Sequence, residues 1–479
     1  MTTRSPLRFL TATAVASLLL ASCAVGPKAP DAPLPPSASG AFIGADAPAV
    51  TAQTARDDWW RLYDDPALDA LVRLALVENN ELEAATANLR AARATLNETR
   101  GGRLPRLNAG ASAIYSRQSA GSIPPGGGAP LGPQDEIETW DAGLDVSYEV
   151  DLWGRVSAAI RASRADADAA EAALDVLRVT VAAETTRAYA DACGANARIA
   201  VAERTIALQG ETADLTRRLL EAGSGNGLDV ARARSALESS RAALPPLRAE
   251  RDGALFRLAV LTGRTPAEAS EAARGCVRAP RLSQPIPVGD GAALLARRPD
   301  VRRAERQVAA AAARINVAVA NLYPTVSLGG SLGATALDPG GFGDEDNFRF
   351  SLGPLISWSF TNPGVSRARV ERADALTEAA LASFDQTVLL ALQETETALA
   401  NYANELDRRA ALEAARDQAA HAARLSRLRF DAGADSFLTV LDAERTLAAA
   451  DAQLAASDAL VTTYQIALFK ALAGGWSEG

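Results

Sequence analysis

The stretch RFDAGADSFLTVLDAER, residues 429–445, carries the first glycine after a run, Val365 to Ala432, that holds neither glycine nor proline. As one helix such a run reaches about 100 Å at 1.5 Å per residue, far beyond the roughly 11–12 residues of an average helix. Gly433 then marks where the chain turns back, because glycine takes the left-handed conformation that closes a helix. Asp435 or Ser436 offers an oxygen to cap the next helix. The same arrangement stands earlier, in LLEAGSGNGLDVARARS at residues 219–235, with Gly223 in register at an offset of 210. Its long run, Arg155 to Ala222, is broken only by Gly194 and Gly210. Helices of this length need partners along their whole course and so predict coiled-coil-like packing. The expected partners are helices 66–100 and 228–262 in one copy and 291–321 and 436–473 in the other, with Pro245-Pro246 kinking or breaking 228–262.

The matching turns belong to a larger internal repeat. NNELEAATANLRAARATLNETRGGRLPRL, from residue 79, aligns within RRPDVRRAERQVAAAAARINVAVANLYPTV, which begins at residue 297, with Asn79 matching Arg298 at an offset of 219. GLDVSYEVDLWGRV at 143–156 aligns with GPLISWSFTNPGVS at 353–366 at the offset of 210, so the difference falls in one loop. Each copy reads helix, strand, loop, strand, very long helix, turn, helix. The strands, expected at 104–118 and 138–152 and again at 323–335 and 347–361, alternate polar and apolar residues. Asp141, Asp145 and Glu149, for example, are interleaved with Ala142, Leu144, Val146 and Tyr148. That period and length suit outer-membrane barrel strands, and Tyr115, Tyr148, Trp358 and Phe360 near strand ends suit an interfacial girdle. A half-buried sheet of a soluble domain shares the alternation. If the strands cross a membrane, four cannot close a barrel, and unpaired edges cannot face lipid. Several chains must then share one barrel.

Composition narrows the functional classes. The 479 residues carry a net charge of −9, with 48% hydrophobic but only 5% aromatic residues, three Cys and one His. The negative balance argues against a nucleic-acid partner. One His and scattered Cys give no metal-ligand spacing, and no dinucleotide, phosphate-loop or nucleophile-elbow motif appears. Neither catalysis nor a cofactor has a visible carrier, which leaves an enzyme a distant reading.

At the N-terminus, Arg4 and Arg8 precede an apolar run from Phe9 to Leu20. At about 12 residues it is too short to span a membrane and reads as a secretory signal, residues 1–22. Its Leu-Ala-Ser-Cys ending resembles the bacterial lipobox, which makes Cys23 the lipidation site, and Ala24 after it favours the outer membrane. The alternative is an ordinary signal followed by a chance cysteine. Residues 23–56, rich in Pro, Ala, Ser and Gly, fit an extended lipidated tether. No run of 18 apolar residues follows Cys23, so no transmembrane helix is expected and any crossing must use strands.

Taken in order, the lipobox, DDWWRLYDDPALDALVRLAL (57–76), the strand pairs, RRPDVRRAE (297–305) and the 429–445 stretch resemble the TolC-type outer membrane factors. The likeness is to the lipoprotein branch that serves resistance–nodulation–division (RND) multidrug pumps, and it covers roughly residues 57–474. It implies an α+β fold with an internal two-fold repeat: a membrane β-barrel, four strands per chain and 12 in a homotrimer, continued by a long α-helical periplasmic barrel. The two copies occupy 57–263 and 291–474, joined by an equatorial linker at 264–290. The implied function is a passive exit duct of a tripartite efflux pump, with outer-membrane lipid around it and a periplasmic adaptor and inner-membrane RND pump as partners. A type I secretion duct and a lipid-anchored periplasmic coiled-coil scaffold without a channel are the alternatives.

The resemblance also assigns roles to residues. Both turns are implied as adaptor-docking tips: Gly223, Gly227, Leu228, Asp229 and Val230 in the first, Gly433, Ser436, Phe437, Leu438 and Val440 in the second. The glycines otherwise only permit hairpins, and the apolar residues, expected to be exposed, otherwise pack the tip. A periplasmic gate is implied at Arg424, Leu425, Arg427, Leu428 and Asp431, where the arginines depart from the acidic rings of some members; a solvated helix face is the alternative. Asp141, Asp145 and Glu149, repeated three times, are expected to bias the barrel lumen negative. Finally, Cys193 stands ~44 Å above the first tip, and Cys276 follows a helix that ends ~51 Å up. Matching heights in an oxidising periplasm predict a Cys193–Cys276 disulfide, the alternative being two separate buried thiols.

Overall fold

A computed structural model describes residues 25–28, 34, 36–46, 48–53, 56–117, 136–282, 284–358 and 363–473. The expected signal, Cys23 as the expected lipidation site, part of the expected tether, the loop 118–135, Phe360 and residue 474 lie outside the described residues. The helices, in chain order, are α1 (Pro66–Glu78), α2 (Asn80–Gly101), α3 (Arg155–Glu221), α4 (Gly227–Ala242), α5 (Leu244–Leu261), α6 (Glu271–Gly275), α7 (Gly291–Arg297), α8 (Pro299–Ala320), α9 (Pro363–Asp431) and α10 (Phe437–Ala471). The strands are β1 (Val50–Thr51), β2 (Arg106–Ser116), β3 (Ile137–Val150), β4 (Ile286–Pro287), β5 (Thr325–Ala336) and β6 (Phe348–Ser357). Two compact units emerge, one of residues 1–32, 90–168 and 305–382, the other of 33–89, 169–304 and 383–479, so each draws on both copies of the repeat.

The first unit holds the long strands. They form one antiparallel sheet in the order β2-β3-β5-β6, with the two copies of the repeat meeting where β3 pairs with β5. Leu144 faces Leu332, which faces Phe350, so the apolar residues of successive strands share one face. On the other face Asn108, Asp145, Ser331 and Ser351 make one polar row. The apolar face is uncovered in the single chain, where Leu352 is 83% exposed. Among the described residues β2 and β6 each keep one edge without a strand partner. Below β3 the chain turns at Gly154 (φ +75°), and Asp151 accepts from the backbone N–H groups of Val156 and Ser157, both at 2.8 Å, to cap α3. Leu96, Val156, Ile160 and Ala167 form the helical core beneath.

In the second unit α3 and α9 reach their ends. α3 is 67 residues long and α9 69. Trp59, fully buried, stacks on Phe469 with ring centroids 4.7 Å apart and anchors an aromatic core with Trp60 and Tyr63. Burial pushes the Tyr63 hydroxyl well above the ordinary tyrosine range. β1 pairs with β4, which ties the segment before α1 to the middle linker.

Four partner helices were expected, and three of them are interrupted. Helix 66–100 breaks at Asn79, whose Oδ1 accepts from the N–H groups of Glu81 and Leu82 and so caps α2. Helix 291–321 breaks at Arg298, because Pro299 excludes the helical region for the residue before it. Helix 228–262 breaks at Ala243, where Pro245 and Pro246 fall in the first turn of α5, whereas α10 runs unbroken for 35 residues. One window of 18 residues in α9 reaches a mean hydropathy of 1.2, long and apolar enough to cross a membrane, although no such segment was expected.

Candidate functional site

Both hairpin tips lie in the second unit and close with the same two hydrogen bonds. In the first, Gly223 (φ +76°) donates its N–H to Leu220 O at 3.0 Å and Ser224 donates to Leu219 O at 3.0 Å. In the second, Gly433 (φ +70°) donates to Phe430 O at 2.8 Å and Ala434 to Arg429 O at 2.8 Å. This is the Schellman closure, in which a left-handed residue lets two N–H groups satisfy the last helical carbonyls. The caps that follow differ. Asn226 Oδ1 accepts from Asp229 N–H at 2.9 Å in the first tip. Ser436 makes no such bond in the second, and Asp435 is instead held by Arg429 at 2.7 Å.

The apolar tip residues divide into two groups, which corrects the expectation that all five are exposed. Leu228 and Leu438 are 57% and 51% exposed. Val230, Phe437 and Val440 are buried. Phe437 packs edge-on against Phe430 at 5.9 Å within a cluster that includes Ala213, Ala233, Leu237 and Leu441. Positions 437 and 440 share a helix face turned inward, while 438 points out. Beside Leu438 runs a groove of about 530 Å³ between α4 and α10, lined by Arg232, Ser235, Leu441 and Arg445. Gly227 is exposed and Asp229 half-buried.

The five residues assigned to a gate do not act alike. Leu425, Leu428 and Asp431 are exposed, and Arg424 lies 3.4 Å from His421 Nδ1. Arg427 turns inward: its guanidinium pairs with Glu444 and donates to Thr212 Oγ1 at 3.1 Å. Thr212 in turn donates to Glu444 Oε2 at 2.9 Å, so α3, α9 and α10 are joined by a buried network. Further along α3, the Arg217 guanidinium bonded to Asp214 holds that carboxyl below the usual range.

Higher in the same unit Cys193 and Cys276 are bonded, with an S–S distance of 2.07 Å. The RRPD motif forms a knot. Arg298, 7% exposed, donates to Asp300, to Glu394 Oε2 at 2.8 Å and to the Ala471 carbonyl at 2.9 Å. Its repeat mate Asn79 donates to the Leu261 carbonyl at 3.0 Å, the position that matches Ala471.

In the first unit, two of the three acids expected to charge the lumen are paired within the chain. Arg349 holds Asp141 at 2.8 Å, and Arg155 Nε donates to Glu149 Oε1 at 2.7 Å. The sequence signal for Glu149 was its proximity to Arg155; nothing local announced Arg349. Also unforeseen was an aromatic pair where strands meet helices, Trp153 stacked on Tyr323 at 4.7 Å. Trp153 Nε1 donates to Pro324 O at 2.8 Å and Trp358 Nε1 to Leu322 O at 3.1 Å. Val25, two residues after Cys23, donates its N–H to Trp153 O at 3.4 Å.

The family signature described as outer membrane efflux protein matches residues 71–264 and again residues 292–474. The chain belongs to the outer membrane efflux protein family. It is 33% identical over 479 residues to the pyoverdine export outer membrane protein OpmQ of Pseudomonas aeruginosa, covering 97% of this chain and 96% of that one. Outer membrane protein OprJ of the same organism is 30% identical, covering 97% and 95%. Among solved structures, the outer-membrane channel OprN superposes with a TM-score of 0.87 at 36% identity, covering 94% of this chain and 99% of that one. The open-state MtrE outer membrane channel of Neisseria gonorrhoeae, at a TM-score of 0.79, 24% identity and coverage of 94% and 98%, shows the shared fold. This member of the outer membrane efflux protein family is thus an outer-membrane channel protein of efflux, with the α+β fold of those channels.

Proposed function

We propose that three copies of this chain close their sheets into one 12-stranded barrel and serve as a passive exit duct for small molecules in a tripartite pump. The open sheet carries the reading. Its apolar face is uncovered, its two edges lack strand partners among the described residues, and unpaired backbone at membrane depth costs several kcal/mol per group. Neighbouring copies supply those edges. On this reading the apolar face meets lipid, the polar face lines the lumen, and the exposed Leu376, Leu389 and Leu390 of α9 pack against neighbouring helices, so its apolar window need not enter a membrane.

Cys23 is the proposed acylation site. The Trp153–Tyr323 pair and Trp358 mark the membrane surface on the anchor's side, as aromatic belts do, and the bond from Val25 to Trp153 supports an anchor at that level. The two tips dock a periplasmic adaptor through Leu228 and Leu438, and the adaptor joins the duct to an inner-membrane RND pump. Deleting the gene in its host and complementing it tests the reading. Deletion raises accumulation of pump substrates and susceptibility to them, and the wild-type gene restores export. An unchanged susceptibility profile, with the protein expressed in the parent strain, sinks it.

A further inference from the structure

On the polar face of the sheet, Arg349 of β6 lies opposite Gly333 of β5, which lies opposite Gly143 of β3. Its guanidinium reaches across β5 to Asp141 on β3, Nη2 donating to Oδ1 at 2.9 Å and Nε to Oδ2 at 3.2 Å. Thr335 of β5, in register with Asp141, donates to the same carboxylate at 2.7 Å. Gly143 leaves room for the guanidinium: a Cβ there would stand 3.2 Å from the Arg349 Nη2 atom. A bidentate arginine–carboxylate pair is a strong and directional ion pair. This one joins strands that are not neighbours, drawn from different copies of the repeat.

We propose that Arg349 sets the electrostatic potential of the barrel interior by cancelling the charge of Asp141. The inference rests on the polar face lining the lumen. The expected ring of acids is then no uniform negative field. Asp141 and Glu149 are each matched by an arginine of the same chain, while Asp145 has Asn108 and Ser331 as its register neighbours. With three copies, the pair makes a charge-balanced band, and Arg349 is the residue that keeps the duct from favouring cations at that level.

The test places a thiol on the band and reads the local potential from outside the cell. Ser351 lies two residues from Arg349 on the same face, about 7 Å along the strand. Its replacement, Ser351→Cys, is treated with a cationic trimethylammonium-ethyl or an anionic sulfonatoethyl methanethiosulfonate. The ratio of the two rates reports the field at that point and is indifferent to any constriction at the other end of the duct. Adding Arg349→Gln is expected to raise the cation-to-anion ratio about five-fold or more at low salt, since one unit charge at such distances changes each rate severalfold in opposite senses. Asp141→Asn lowers the ratio, and Arg349→Lys leaves it near the parent value. If the thiol reacts and the ratio stays the same with both Arg349→Gln and Asp141→Asn in heat-stable trimers, the proposal is overturned while the duct stands. If neither reagent reaches the thiol in intact cells although both modify it after denaturation, the polar face is not the lumen wall and both readings fail.

Discussion

Arg298 donates from its buried guanidinium to the carbonyl oxygen of Ala471 at 2.9 Å, closing the last turn of α10. The same side chain binds Asp300 and Glu394, so one residue joins the start of α8 and the end of α10 to the middle of α9. Arg298→Ala leaves the buried Ala471 carbonyl unmatched and is expected to cost about 1–3 kcal/mol. Arg298→Lys restores the charge but not the fork of donors, and recovers little. Thermal melting of the detergent-solubilised protein measures both.

The left-handed residues past the returning helices differ between the copies, Gly263 at φ +70° and Ala473 at φ +46°. An alanine there carries about 1–2 kcal/mol of backbone strain. Ala473→Gly is therefore expected to raise stability by up to about 1 kcal/mol. Gly263→Ala is expected to lower it by more, because the new Cβ would meet Glu78 O at 2.4 Å. A melting temperature that falls for Ala473→Gly contradicts the strain argument.

The tip substitutions separate docking from packing. Leu438→Asp alters an exposed side chain and should abolish export while trimers remain in the outer membrane. Phe437→Ala empties a buried site in the tip cluster and should lower stability by about 3–5 kcal/mol. Normal export with Leu438→Asp removes the docking role assigned to that residue.

Arg427 is expected to behave as a brace. Arg427→Ala leaves Glu444, only 3% exposed, without its cation. It should destabilise by about 3–5 kcal/mol, whereas Leu428→Ala, at an exposed position, should stay within about 0.5 kcal/mol. A stable Arg427→Ala protein with altered conductance would instead place Arg427 at a gate.

Cys276→Ser opens a link between residues 83 apart in sequence and is expected to cost about 2–4 kcal/mol. The denatured, unreduced parent should show no free thiol from Cys193 or Cys276. Two titratable thiols there exclude the bond.

Much of the fold could be read from the sequence because it depends on local rules. Gly433 and Gly223 announced their hairpins, since few other residues close a helix in that conformation. The alternation around Asp141, Asp145 and Glu149 gave the strands, and the two offsets gave the repeat. What escaped depends on neighbours far along the chain. Asn79 looks like any helical residue until the Leu261 carbonyl meets it. Arg349 is one polar position among several until register sets it two strands from Asp141. Leu438 and Val440 are equally apolar in sequence, and only the packing of Phe437 against Phe430 decides which is buried.

Every reading above depends on a barrel shared between chains, and single-channel recording of purified trimers in a planar lipid bilayer probes that barrel itself. A shared barrel gives discrete conductance steps from a species that migrates as a heat-modifiable trimer, with no steps from heat-dissociated chains. Trimers that insert into the bilayer yet never conduct at any applied voltage, or a protein that stays monomeric in detergent and membrane alike, would contradict it.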